Sequence, residues 1–400
     1  MTTSTHRAPG IRCRRLDGAL VRSIHTGMTW THSFAPGGLP VHAVNRAGDR
    51  RAVFAATTTA CLLGLAVVTG FAARNGAHAE DSAAPAVATD LETAREFLRA
   101  NPPDGTNAAA RRRHMAAIQK AADRLAAADY KAYARAWNAD PARADELARA
   151  DVLRYLEDAV EDALTDLRAT TVRSGVAVWH LYNMGYVFKT PDCCFGIDLH
   201  CRAAPRLAAD LDFLLVSHEH LDHRSDALVA ALLEQGKPVV TSFQPGTRRI
   251  DAATGAPHEM TLGGLRVRID IGDHHYRDPK QRNNMLMFQV DCGPAGNDCT
   301  IYHSGDNSNI EKMKPDRPVT VFIPHVEVGL PIARSIRTLE PRITLVSHVL
   351  ELAHSPTPPQ AWRWSFDHAF KTIATVPEPK ATVLTWGERW LLPGTEIATR

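Results

Sequence analysis

Apolar residues recur along this chain with two different rhythms, and the change between them divides it. Between about residues 89 and 168 the spacing is three and four, so that Leu153, Leu156, Val160, Leu164 and Leu167 fall on one helical face. Within this region Asp140-Pro141 starts a helix, with Asp as the cap and Pro in the first turn, and Asn101-Pro102-Pro103-Asp104-Gly105 ends an earlier one. From Val176 onward short apolar runs alternate with turns. Strands are predicted at 176–180, 185–189, 194–198, 211–216, 237–241, 265–271, 285–291, 299–303, 319–323, 343–347 and 381–386. Ser225 to Gln235 reads as a helix, with Leu228, Val229, Leu232 and Leu233 on one face and Gly236 after its end. The pattern predicts an α/β fold, an αββα sandwich of two mixed β-sheets flanked by helices over 175–395. A helical extension over 89–170 precedes it.

The region before the extension has neither rhythm. Arg50 and Arg51 precede an uncharged stretch, Ala52 to Ala73, and Ala77-His78-Ala79 gives a small-x-small cleavage site before Glu80. Asp49-Arg50-Arg51-Ala52-Val53 is similar to a twin-arginine export signal, with Asp where Ser or Thr is usual. Residues 49–79 are therefore expected to act as a signal peptide cut after Ala79, placing the protein in the periplasm or outside the cell. Left uncut, residues 52–73 are long enough to anchor it in a membrane. Residues 1–48 form a leader without a clear pattern, and Met28 is an alternative start.

Composition narrows the picture further. The chain has 400 residues, 44% of them hydrophobic, which is ordinary for a globular protein with one main domain plus additions. Net charge is +2 and no large basic run lies in the second half, so nucleic acid is not expected as a partner. Arg111-Arg112-Arg113 reads as a solvated helix face. Export would permit disulfides among Cys193, Cys194, Cys201, Cys292 and Cys299. Cys292 and Cys299 bracket the turn Gly293-Pro294-Ala295-Gly296-Asn297-Asp298, so a hairpin is expected to bring them opposite each other and bond them. Two buried free thiols are the alternative.

The run His218-Glu219-His220-Leu221-Asp222-His223 carries the chemistry. It follows the apolar run 211–216. Clustered imidazoles without a metal would repel once protonated, and imidazole nitrogen with carboxylate oxygen is a common set of zinc ligands. In an extended segment His218 and His220 share a face and can grip one metal. If the chain then turns into a helix, Asp222 and His223 point elsewhere, toward a second.

This motif resembles the signature of the metallo-β-lactamase fold, a superfamily of mostly dinuclear hydrolases. Asp273-His274-His275-Tyr276, Ile301-Tyr302-His303-Ser304-Gly305-Asp306 and Leu345-Val346-Ser347-His348 follow in the family's order, and Ile197-Asp198 matches an earlier family aspartate. The sub-pattern His-Ser-Gly-Asp, Val-Phe-Ile-Pro-His and Ser-His is similar to the branch of the L-ascorbate-6-phosphate lactonases and N-acyl phosphatidylethanolamine phospholipase D enzymes. The resemblance implies two divalent metal ions, zinc (Zn2+) by default, with Mn2+ or Fe also suited to a shell lacking thiolate. His218, His220 and one of His274 or His275 would hold the first, Asp222, His223 and His348 the second, and Asp306 would bridge them. Of the pair, His275 continues the alternation of Leu265, Val267, Ile269 and Ile271. Asp198 would orient a ligand histidine or a water.

The expected activity is hydrolysis of a phosphodiester, lactone or ester bond in a small-molecule or lipid-like substrate, by a metal-activated hydroxide with Asp222 and Asp306 as catalytic residues. Contact with a membrane would accompany a lipid substrate. An iron-dependent oxidoreductase on the same fold and a non-catalytic binding protein are the alternatives. His180, His303 and His325 lie near strand ends as structural histidines or substrate contacts, and His354 is a candidate to line the pocket.

Overall fold

The computed structural model of the chain describes residues 84–358, 361–376 and 380–399. The leader, the export signal with Arg50 and Arg51, and the cleavage site after Ala79 lie outside the described residues. Five helices come first: α1 (Ala84–Ala100), α2 (Ala108–Arg124), α3 (Ala127–Ala139), α4 (Pro141–Leu147) and α5 (Asp151–Ala169). Asp140 caps α4 by accepting the Arg143 N–H, with Pro141 in the first turn. Leu153, Leu156, Val160, Leu164 and Leu167 of α5 are all buried, as their spacing predicts. Among the described residues no helix is long and apolar enough to cross a membrane.

Two seven-stranded sheets follow, each laid down almost in chain order. The first runs β2 (Ala177–Tyr182), β3 (Gly185–Lys189), β4 (Cys194–Ile197), β5 (Phe213–Leu215), β6 (Val239–Thr241) and β7 (Arg248–Arg249), with β15 (Arg389–Leu391) added beside β2. The second runs β8 (His258–Leu262), β9 (Leu265–Gly272), β10 (Met285–Asp291), β11 (Thr300–His303), β12 (Val321–Ile323), β13 (Ile343–Leu345) and β14 (Ala381–Thr382). In both sheets the early strands pair antiparallel and the later ones parallel. A separate ribbon pairs β1 (Thr170–Ser174) with β16 (Glu396–Thr399). Helices α6 (Asp226–Glu234), α7 (Ile332–Leu339) and α8 (Phe366–Thr372) complete the domain. The two mixed sheets with helices are the α/β sandwich expected.

Strand alternation builds two cores. Val178, Tyr186, Phe188, Phe195, Phe213, Leu215, Ile269, Phe288 and Ile323 form one apolar cluster drawn from both sheets. Phe195 stacks between Phe188 and Phe213, at centroid distances of 5.1 and 4.9 Å. The alternate positions Ala177, Trp179 and Leu181 belong instead to a core shared with α1, α2, α3 and α5. Trp179 donates its indole N–H to Asp166 of α5 at 2.8 Å.

Two expectations need correction. Arg111 is not on a solvated face: it is 2% exposed and forms a bidentate pair with Glu388, at 2.6 and 3.0 Å. Packing of α2 against the turn before β15 buries it, while Arg112 lies over the Phe370 ring. The hairpin of β10 and β11 does bring Cys292 opposite Cys299, with the Cys292 N–H donating to the Cys299 carbonyl at 2.9 Å. Both cysteines are nevertheless free and buried, as are Cys193, Cys194 and Cys201. A hydrogen bond between the two thiols, together with burial, pushes the Cys292 thiol well up.

Candidate metal centre

The strand directions gather one end of many strands at a single edge. Strands β4 and β5 are parallel, and β9, β11, β12 and β13 share a direction through their pairings. The residues that follow these strands are Asp198, the 218–223 run, Asp273 and His274, Asp306, His325 and His348. Loops at strand ends on a rigid sheet are where chemistry commonly sits. Asp198 and His348 take left-handed backbone angles, φ +50° and +62°, that turn them sharply off their strands.

Three groups of side chains converge there. His218, His220, His274 and Asp306 each offer an atom within 4.8 Å of all the others; so do Asp222, His223 and His348, and so do Asp306, His325 and His348. The extended run to His220, then the single turn Leu221–His223, separates the first two groups. His274, not His275, faces the first group. The alternation of β9 stops with the strand at Gly272, and the turn beyond it buries His274 and leaves His275 exposed. His274 Nε2 lies 3.5 Å from Asp306.

Hydrogen bonds fix which ring nitrogens face inward. Ser217 donates its N–H and its hydroxyl to the two oxygens of Asp198, both at 2.7 Å. The Ser217 hydroxyl has thus spent its proton and accepts from His218 Nδ1 at 3.0 Å. His223 Nδ1 donates to Asp198 Oδ2 at 2.8 Å. In the neutral form of either ring the lone pair is therefore on Nε2. These Nε2 atoms point at Asp306, at 3.7 and 3.2 Å, and neither has a hydrogen-bond partner among the described residues. Lone pairs set against a buried carboxylate repel unless a cation lies between them. Both nitrogens of His274 and Asp306 Oδ1 are likewise buried without a partner. An intermediate-borderline metal with nitrogen and oxygen ligands fits this donor set.

Charge perturbations agree. Burial alone would raise Asp222 and Asp306, but the facing His223 and neighbouring imidazoles hold both well below the usual carboxylate range. Burial opposes charge on His223, yet Asp306, Asp222 and Asp198 together raise it well above an ordinary histidine. The site is built around positive charge.

Other groups became visible only in three dimensions. Asn183, in the turn between β2 and β3, donates to Asp222 Oδ2 at 2.8 Å, and its carbonyl accepts the His348 backbone N–H at 3.2 Å. The available signal was an Asn in the turn-like run Tyr-Asn-Met-Gly, a residue type that tolerates the left-handed φ of +56° found there. Glu351 is 1% exposed, its Oε2 has no hydrogen-bond partner, and burial first, then Asp222, raise it to about 7. His354 Nε2 lies 3.3 Å from it. His303 and His180 are structural: His303 Nε2 donates to the Met184 carbonyl and Nδ1 accepts the Gly305 N–H, while both His180 nitrogens lie against backbone carbonyls.

Residues 175–342 match the family model described as beta-lactamase superfamily domain. A UPF0173 metal-dependent hydrolase of Anaeromyxobacter dehalogenans is 34% identical over 139 residues, covering 28% of this chain and 48% of the relative. A protein of the same description from Thermoplasma volcanium is 29% identical over 125 residues, covering 28% and 52%. The chain thus spans about half the length of these curated relatives. Among solved structures, a possible metal-dependent hydrolase from Veillonella parvula superposes with a TM-score of 0.43 at 16% identity, over 55% of this chain and all of that one. Residues 175–342, the stretch that matches the beta-lactamase superfamily domain model, carry the strand-end residues of the candidate centre up to His325 in the order the resemblance implies.

Proposed function

We propose that the chain is a metal-dependent hydrolase that holds two divalent cations, zinc by default, and cleaves a phosphodiester, lactone or ester bond. The observation that carries this reading is the ring of buried nitrogen and oxygen atoms without partners around Asp306. His218, His220 and His274 would hold one ion, Asp222, His223 and His348 the other, and Asp306 would touch both. Cations bound there supply Lewis acidity and lower the pKa of water toward 7.

The chain's own residues do the rest. Asp198 and Ser217 hold His218 and His223 in the tautomers whose Nε2 lone pairs face inward. Asn183 donates to Oδ2 of Asp222, leaving Oδ1 to take a proton from the attacking water. A cavity of about 630 Å³ has Tyr276, Ser308 and Val326 in its wall, residues of the ligand loops, while the candidate ligands themselves do not line it. That volume suits a small molecule or a lipid headgroup. Residues 49–79 support export by a twin-arginine route, and replacing Arg50 and Arg51 by Lys should then retain the precursor in the cytoplasm.

The direct test is elemental analysis of full-length protein purified without chelator, followed by assays with bis(4-nitrophenyl) phosphate, a lactone and a 4-nitrophenyl ester. About two equivalents of metal and metal-dependent turnover of one of these are expected. A value near zero that reconstitution does not raise would sink the reading.

A further inference from the structure

His325 stands among the ligand groups with a different hydrogen-bonding pattern. Its backbone bridges to Ser347, Val326 N–H donates to the Ser347 carbonyl at 2.9 Å, and Ser347 N–H donates to the Pro324 carbonyl at 3.0 Å. The loop after β12 is thereby tied to the loop that carries His348. The two rings stack with centroids 3.9 Å apart and planes at 30°. His325 is 4% exposed and has a nitrogen within 4.8 Å of Asp306 and His348. Proximity alone would make it a ligand.

Its tautomer argues otherwise. Nδ1 accepts the Glu327 N–H at 2.9 Å. An imidazole nitrogen that accepts carries no proton, so the neutral ring bears its proton on Nε2. A protonated nitrogen has no lone pair to give a metal. His218 and His223 are the reverse case, protonated on Nδ1 with Nε2 free to coordinate. No side chain or backbone group among the described residues accepts from His325 Nε2.

We propose that His325 is not a metal ligand but a fixed hydrogen-bond donor, whose Nε2–H binds an anionic oxygen of the substrate beside Asp306 and His348. The inference rests on the hydrolase reading and deepens it: the substrate, or its transition state, carries an oxyanion such as a phosphoryl oxygen. Stacking on His348 and the Glu327 bond hold the donor in place before the substrate arrives, so no reorganisation is needed.

The test uses zinc-loaded full-length protein with inorganic phosphate as the probe. His325→Phe and His325→Gln should keep the wild-type metal content, whereas His348→Ala should lose metal. Calorimetric phosphate affinity should fall about tenfold in His325→Phe and stay near wild type in His325→Gln, which keeps a donor. Ring 15N shifts of wild-type His325 should report the neutral Nε2–H tautomer, a readout that does not depend on any variant folding. Metal loss in His325→Phe, unchanged phosphate affinity in it, no phosphate binding by wild type, or an Nδ1–H tautomer would each overturn the donor role while leaving the hydrolase reading intact. Wild-type protein that takes up no zinc would overturn both.

Discussion

Asp222 faces three groups with a single carboxylate oxygen. His223 Nε2, His348 Nε2 and Asn183 Nδ2 lie 3.3, 3.1 and 2.8 Å from its Oδ2. Asp222→Asn keeps the shape but loses the charge, and a neutral amide is a poorer ligand and proton acceptor. On a hydrolysed substrate kcat should fall by roughly 10²–10⁴. Circular dichroism should show the fold retained and elemental analysis a weakened second metal; near-wild-type turnover would count against the assignment. Glu351 gives a prediction about pH. Its carboxyl is raised from 4.5 to about 7 in the folded protein, so the folded state binds the proton more tightly than the unfolded one. Stability is therefore greatest below the unfolded value and is lost as pH rises toward 7. In metal-free protein Glu351→Gln should stabilise by on the order of 3 kcal/mol near pH 8 and by little near pH 4. Thermal unfolding at the two pH values checks this, and an equal effect at both would refute it. At this scale the contiguous 218–223 run was legible because its ligands are sequence neighbours. The contact of Asn183 with Asp222 was not, since it spans 39 residues. The choice between His274 and His275 failed because strand parity lapses where the strand ends.

At the scale of elements, the alternating runs marked every strand that carries a ligand loop. The strands without such a signal are edges or short pieces. β8 has an exposed face and only one fully buried residue, and β7 is two exposed arginines. Their pairing comes from neighbours rather than from their own composition. The loop that carries Asp306 depends on Gly305, whose φ is +49°. A Cβ there would lie 2.6 Å from Met285 Cε and 2.8 Å from Ser217 Cβ. Gly305→Ala should therefore destabilise by about 2–3 kcal/mol, from strained φ and overpacking together. It should also weaken metal binding, because Ser217 and Asp306 flank the clash. Urea unfolding with metal titration tests both, and an unchanged midpoint would show that the loop can shift without cost.

Across the whole molecule, the helical extension is bound into the domain by more than apolar contact. Arg111 of α2 pairs with Glu388 while also donating to the Asn101 carbonyl, and Arg363 donates to the Leu125 and Leu352 carbonyls. Removing one member of a buried pair leaves the other charge uncompensated, which typically costs about 3–5 kcal/mol. Arg111→Met should lower the melting temperature accordingly, and the double change with Glu388→Gln should recover part of the loss. No recovery in that cycle would mean that the pair acts through packing alone.

The first and last strands are partners in two places: β2 with β15, and β1 with β16. On a ribosome, the residues that close the first sheet therefore appear last. At roughly 5–20 residues per second, β2 would wait about 10–40 s for β15. By the end of that interval the chain carries every candidate ligand, His348 last, beside a sheet edge that has stayed open throughout, the kind of surface that recruits other strands. Closure of the first sheet thus lags far behind its first strand, and protection of the nascent chain becomes part of making the protein. A chain stopped at Gly387 should collect in inclusion bodies despite keeping the entire site, and a soluble, metal-loaded product would show that closure is dispensable.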